Sequence, residues 1–388
     1  MKMKNYLNEK FETTFQQSPS KYYSCGGRFE VLGNHTDHNH GLCIAATCDL
    51  AIYAAVKKRD DLIIRFLSEG FGYHEIDLSN LDKVDDEDGQ PASLIRGIAH
   101  YIARDYKIGG FDVYFKSEIP SGAGISSSAA FELLVGHLFN ALYNDGQIPM
   151  MVLCKAGQNA ERNYYGKMCG LLDQIGVAYG GLVYIDFEDI VNPVVEPVKA
   201  NLDGYQFVII DTGSSHEGLS DLYESIPNDM YKVADYFSKA FLREATLDEL
   251  KENRLDIIEN CGELAYQRAE HFFKENERVE KAFKAIKANK IEALIKLMNE
   301  SRNSSEKLLQ NMFIDKKKGS PLEACELVYK ASRHKAGVKV NGGGFAGSVV
   351  ALVPKDVLSD VIDAAKEKYG RANIYLVDVR NEEPSELE

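Results

Sequence analysis

The sequence lacks any apolar run approaching the roughly 18 residues a membrane-spanning helix needs, so no span is expected. It also lacks a basic excess, since Lys plus Arg is 45 against 59 for Asp plus Glu, a net charge of −14. With an isoelectric point near 5.2, general nucleic-acid binding is excluded, because that needs a basic surface. Cysteine is sparse. The seven, Cys25, Cys43, Cys48, Cys154, Cys169, Cys261 and Cys325, are odd in number, widely spaced and never C-x-x-C. That excludes a disulfide framework or structural zinc site, and most are expected as small buried side chains. The opening Met1-Lys-Met-Lys-Asn5 leads into polar residues without the apolar core of a secretion signal, which predicts a cytoplasmic protein. No internal repeat or long low-complexity tract is visible.

What is present is the material of a folded protein. A chain of 388 residues, 45% hydrophobic and 10% aromatic, can bury a real core, and its length favours two domains. Phe111, Val113 and Phe115 alternate with polar residues as in a strand. Beyond the loop Ile119–Ser128, apolar residues recur at helical spacing from Ala130 to Leu142. Met150–Tyr164 predicts a further helix and Leu182–Ile185 a short strand. Val191–Leu202 carries Pro193 and Pro197 with little periodicity, and places a boundary between domains 1–195 and 196–388. In the second half Phe207–Ile210, Val338–Val340, Ser348–Val353 and Ile374–Val379 read as strands. Asp221–Leu242, Asp248–Glu275, Arg278–Ala288, Ile291–Glu300 and Val357–Lys368 read as helices. The class is α+β. Asn381–Glu388 reads as an acidic frayed tail.

Polar and glycine-rich loops carry the chemistry. Pro120-Ser-Gly-Ala-Gly-Ile-Ser-Ser-Ser-Ala-Ala130 joins a strand to a helix. Gly122 and Gly124 permit close backbone approach, and the amides opening a helix favour an anion. The hydroxyls of Ser126, Ser127 and Ser128 add donors for phosphate or ligands for a metal. The loop is no Walker A, for G-x-x-x-x-G-K-S/T does not occur. Gly342-Gly-Gly-Phe-Ala-Gly347 matches G-x-G-x-x-G, but the apolar run that follows reads as a strand. A dinucleotide fingerprint needs a helix there, so a hydride-transfer enzyme is remote. Gly26–Gly41 contains His35, Asp37, His38 and His40 without the helical spacing of a zinc site. Asp, Asn and His in a polar loop suit a hydroxylated ligand such as a sugar better.

Together these loops resemble the three ordered motifs of the GHMP small-molecule kinases, and within them the galactokinases. Gly27-Arg28 through Gly41 is similar to G-R-x-N-x-x-G-E-H-T-D-Y-N-x-G. Pro120–Ala129 is similar to P-x-G-x-G-L-S-S-S-A, and Gly337–Gly347 to G-A-R-M-T-G-G-G-F-G-G. Ala160-Glu161 and Cys169-Gly-Leu-Leu-Asp173-Gln174 resemble A-E-H and C-G-I-M-D-Q. The resemblance spans roughly residues 21–350. It implies a two-domain fold with the active site in the cleft between domains, closed by a glycine loop including Gly343 and Gly344. It implies Asp173 as catalytic carboxylate and Arg28 beside it. Gly122, Gly124, Ser126, Ser127 and Ser128 would take the ATP phosphates, and Ser128 with Glu161 a Mg²⁺ ion. Asn34, His35, Asp37, Gly170, Asp173 and Tyr223 would meet the sugar, with His216-Glu217 supporting the tyrosine's match.

The implied activity is phosphoryl transfer from ATP to the anomeric hydroxyl of a hexose, galactose first. Its rivals are a kinase for another sugar (an N-acetylhexosamine, a uronic acid or a pentose) and a sugar-responsive regulator without turnover. The implied partners are a small sugar and Mg·ATP, and a monomer is compatible with them. Departures from the motifs gather on the sugar side. Asn34 replaces the usual glutamate, Glu30 the usual asparagine and His38 the usual tyrosine. Gly26 replaces a proline, and Ile226-Pro227 lies where an arginine pair is expected.

Overall fold

A computed structural model describes residues 2–120, 122–214, 218–315 and 318–387. Ser121 and the pair His216-Glu217, on which part of the motif matching relied, lie outside the described residues. The strands are β1 (Lys21–Leu32), β2 (Leu42–Lys58), β3 (Ile63–Ser68), β4 (Gly72–Asp77), β5 (Phe111–Ser117), β6 (Leu182–Asp186), β7 (Val194–Val198), β8 (Tyr205–Asp211), β9 (Gly337–Asn341), β10 (Ser348–Pro354), β11 (Ile374–Val377) and β12 (Ser385–Glu386). They form an eight-stranded sheet, ordered β12-β1-β2-β5-β3-β4 with β6 and β7 branching from β2, and a four-stranded sheet ordered β11-β8-β10-β9. The branch exists because β2 is long. Leu42–Ala46 pairs with β6, while Ile52–Lys58 pairs with β5. Among the described residues no helix is long and apolar enough to cross a membrane.

The second sheet is covered on both faces, which explains its unbroken apolar runs. Phe207 and Ile209 of β8 join the main core with Val350 and Leu352 of β10. Val208 and Ile210 face the other way, with Val349 and Ala351, against Leu322, Val328 and Val361. Phe29 of β1 packs against Phe207 of β8, ring centroids 4.6 Å apart and tilted, so one core runs between the two sheets. Five of the cysteines are buried and all seven are free thiols.

Several expected boundaries move. The break placed at 195/196 falls inside β7, which pairs antiparallel with β6 in the first sheet. Its prolines do not prevent this, because β7 pairs with β6 alone and an edge strand tolerates a missing N–H. The expected helix Met150–Tyr164 is α-helical to Ala160 and then turns through a π-helical Glu161–Tyr165. The stretch from Asp248 breaks at Gly262 (φ +96°), and one helix, Glu263–Lys287, then passes straight through the interruption expected near residue 276. The tail is not frayed as a whole. Ser385 and Glu386 pair with Ser24 and Tyr23, Lys21 Nζ lies 2.9 Å from the Glu386 carboxylate, and Leu387 packs beside Leu7 and Phe11. The open edge of β1 supplied a partner that local composition does not reveal.

Candidate active site

The site is built where β1 and the loop before the helix Ser127–Tyr143 meet β9 and β10. Ala123 and Ile125 are buried and anchor that loop, while Gly122 and Gly124 take left-handed φ values of +82° and +71°. Ser126 is also left-handed (φ +52°), an uncommon conformation for a residue with a side chain. It turns its hydroxyl onto Asp173 Oδ2 at 2.6 Å. Ser127 then opens the helix. The Arg28 guanidinium donates through Nε and Nη2 to Asp173 Oδ1, at 2.9 and 2.5 Å, and through Nη1 to the Gly124 carbonyl at 2.9 Å. Asp173 lies in the first turn of Leu172–Ala178 and keeps 27% of its side chain exposed. Burial raises the Asp173 carboxyl pKa. Arg28, the Ser126 hydroxyl and Lys167 outweigh that and hold it below its ordinary value.

A second group lies next to the first. Ser128 Oγ donates to Glu161 Oε1 at 3.0 Å, and Lys167 Nζ sits 2.6 Å from the same oxygen. Gln174 bridges Glu161 Oε2 (3.2 Å) and Glu132 Oε2 (2.9 Å). Glu132 is fully buried in the helix, and burial followed by the Glu161 charge pushes its carboxyl well above the usual range. Sequence reasoning missed Glu132 and Lys167. An acid at an interior helix position and a loop lysine carry no signal until packing brings them to Glu161.

The third group belongs to the loop Gly33–Gly41. Asp37 is buried enough that its carboxyl rises to about 6, with the Glu30 and Asp173 charges adding to the effect. Gly170 lies against it, since a Cβ there would overlap Asp37 Oδ2. Asp37 lies near enough to Asp173 for the two charges to repel. The remaining predicted contacts are engaged with the glycine loop. His35 Nε2 is 2.9 Å from the Gly343 carbonyl, and Tyr223 donates to the Gly344 carbonyl at 2.9 Å. Asn34 is fully buried, and its amide donates to the Gly342 carbonyl at 2.7 Å and to Glu30 at 3.2 Å. The Asn34 oxygen accepts from Asn311 Nδ2 at 2.9 Å. In this arrangement Asn34 braces the loop Gly33–Gly41 against the glycine loop. Glu275 supports the loop from behind, accepting from the Gly33 and Ser301 donors at 3.1 and 2.6 Å. Burial alone would raise its carboxyl, yet Arg278 and neighbouring groups hold it at about 2.

The site therefore offers an oriented carboxylate beside an arginine, a helix-opening anion loop and a polar loop suited to hydroxyls. Comparison with known proteins agrees with that chemistry. Residues 93–181 match the model of the GHMP kinases N terminal domain, and residues 9–58 that of the galactokinase galactose-binding signature. A galactokinase of Clostridium acetobutylicum is 30% identical over 380 residues, covering 94% of this chain and 93% of its own. One from Exiguobacterium sibiricum is 30% identical over 371 residues, covering 94% and 92%. The crystal structure of Lactococcus lactis galactokinase complexed with galactose superposes with a TM-score of 0.85 at 26% identity, covering 99% of this chain and all of that one. Methanococcus jannaschii mevalonate kinase shares the fold at a TM-score of 0.66 and 16% identity. The chain belongs to the galactokinase family of GHMP kinases.

Proposed function

We propose that this member of the galactokinase family, an ATP-dependent sugar kinase, transfers the γ-phosphoryl group of ATP to the anomeric hydroxyl of galactose, giving galactose 1-phosphate and ADP. The observation that carries the reading is Asp173, gripped by Arg28 and Ser126 beside the anion loop and close to Asp37. Asp173 accepts a hydrogen bond from the reacting hydroxyl, orients its oxygen and takes the proton as the new O–P bond forms. Arg28 keeps that carboxylate ionised and offers positive charge to the transferring phosphoryl group. Phosphoryl transfer runs through a loose transition state, so positioning and charge neutralisation dominate, and a weakly basic carboxylate suffices. Backbone amides from Gly122 to Ser128 hold the β- and γ-phosphates.

Ser128 and Glu161 suit Mg²⁺ by donor chemistry, one hydroxyl and one carboxylate 3.0 Å apart, both hard oxygens beside the phosphate loop. When bound there, the ion supplies charge neutralisation between the phosphates. Asp37 receives sugar hydroxyls, Gly170 leaves it room, and His35 and Tyr223 hold the glycine loop against the sugar loop. The first sheet's phosphate loop and the second sheet's glycine loop form opposite walls of the site. We also place the protein in the cytoplasm.

The direct test is ADP release from Mg·ATP across a panel of free sugars. Galactose should give the highest kcat/KM. A second reading, a kinase for a different sugar, draws on the inward-turned Asn34, and a higher kcat/KM with another sugar would select it. Binding without ADP release from any sugar would sink both.

The pH dependence of sugar kcat/KM gives a separate expectation. Asp37 titrates near 6 in the free protein. As pH falls below that value the carboxylate gains a proton and loses an acceptor for the sugar, while Asp173, held low, stays ionised. We expect kcat/KM for the sugar to fall about tenfold per pH unit well below 6, an acid limb absent from Asp37→Asn. Stability moves the other way. The native state holds this proton more tightly than the unfolded chain, so the cost of the buried charge fades between about 6 and the ordinary value near 3.8. An unchanged acid limb in Asp37→Asn would assign it to another group.

A further inference from the structure

Behind the sugar loop lies a buried ion pair that the catalytic scheme does not use. Lys339 of β9 is fully buried, and its ammonium lies 2.6 Å from the carboxylate of Glu30 on β1, itself 5% exposed. The ammonium also donates to the Val340 carbonyl at 2.6 Å. The same Glu30 oxygen accepts from Asn34, whose amide continues to the Gly342 carbonyl. Asn311 closes the circuit, donating to the Asn34 oxygen at 2.9 Å and to the Gly343 carbonyl at 3.0 Å. One chain of polar contacts thus ties the second sheet, the glycine loop and the sugar loop together. A buried ammonium with a single carboxylate partner makes the circuit all-or-none, because removing either charge strands the other away from water.

The order of groups from β1 into the sugar loop is informative. The related motif has its amide at position 30 and its carboxylate at 34. Here the two are exchanged and hydrogen-bonded to one another. We propose that Glu30, Asn34 and Lys339 form one positioning unit for the sugar loop, in which a carboxylate meets the Lys339 ammonium and an amide links that carboxylate to the Gly342 carbonyl, and which tolerates exchange of the two groups, so that Asn34 positions His35 and Asp37 and does not itself bind the sugar. The exchange conserves volume. A residue at 30 shortened by a methylene offsets a residue at 34 lengthened by one. The effect on turnover rests on the sugar-kinase reading, whereas the effect on stability does not.

A double-mutant cycle tests this in the full-length protein. Glu30→Asn alone leaves Lys339 without an anion. Asn34→Glu alone sets two carboxylates beside one ammonium and aims an acceptor at the Gly342 carbonyl. Each single variant should lower Tm by on the order of 5 °C or more. Each should also raise the sugar KM at least about tenfold while the ATP KM stays within about threefold. The double variant should regain at least half of the summed Tm loss and most of the sugar affinity. Additive losses in the double variant would overturn the proposal. So would singles that match the parent, or a sugar KM that rises with Tm unmoved, the result expected of a direct sugar ligand. Should a single variant fail to fold, folding of the double supports the unit and its failure overturns it. The Tm arm needs no substrate, so it still decides if the parent phosphorylates none of the sugars offered.

Discussion

Asp173→Asn is expected to lower kcat by about a thousandfold while leaving Mg·ATP affinity within a few-fold of the parent. The substitution keeps the side chain's size and an oxygen for the Arg28 guanidinium, which at present donates twice to Asp173 Oδ1. It removes the negative charge and the capacity to take the sugar's proton. What remains is the anion loop, with its amides and its serines, which should still bind ATP. Steady-state ADP release with calorimetric ATP titration separates the two effects. Turnover within tenfold of the parent would show that Asp173 only shapes the site. The Ser126 hydroxyl contact on Oδ2 adds a consequence. Ser126→Ala should cost less, because it removes one of several groups that hold the carboxylate and not the carboxylate itself.

The largest stability effect is expected at Gly344. Its φ of +84° already disfavours a side chain, and a Cβ there would overlap the Asn311 carbonyl and crowd its amide. The Asn311 carbonyl is also the acceptor for the Phe345 N–H, so it has no free direction in which to yield. Gly344→Ala should destabilise the protein by about 3 kcal/mol, combining backbone strain with overpacking. The folded fraction should bind the sugar more weakly, since Tyr223, His35 and Asn34 hold the carbonyls of this loop. Gly342→Ala is the control. Its φ is similar, +77°, but a Cβ there meets nothing within 4 Å. It should cost only about 1 kcal/mol, the strain alone. Equal Tm losses in the two variants would remove the contact from the explanation.

The residues proposed to carry chemistry were largely legible before the fold was known. Asp173, Arg28, Ser128 and Glu161 are far apart in sequence, but each stands in a motif whose residue types suit phosphate, sugar or metal. The structure brings them into two touching groups. What stayed illegible was anything supplied by packing between distant segments. Glu132 and Lys167 become neighbours of Glu161 only through the fold. Glu275 reaches the sugar loop from a helix that reads as an ordinary amphipathic stretch, and Asn311 reaches Asn34 and the glycine loop from an irregular segment just past the turn Ser305–Leu309. β7 and β12 were missed for a related reason. Each is short and weakly patterned, and each is a strand because a neighbouring edge was open.

The sequence by itself determined the kinase class and pointed to the phosphate loop and to a carboxylate as proton acceptor, because backbone amides, hydroxyls and a positioned carboxylate are local requirements written in local residues. Only the tertiary structure decided which way Asn34 points. As a letter in a sugar motif it reads as a ligand, and as a side chain it points inward to Glu30, Gly342 and Asn311. The reason is electrostatic. A fully buried ammonium at Lys339 must find a carboxylate, and satisfying it fixes the orientation of every polar group around it.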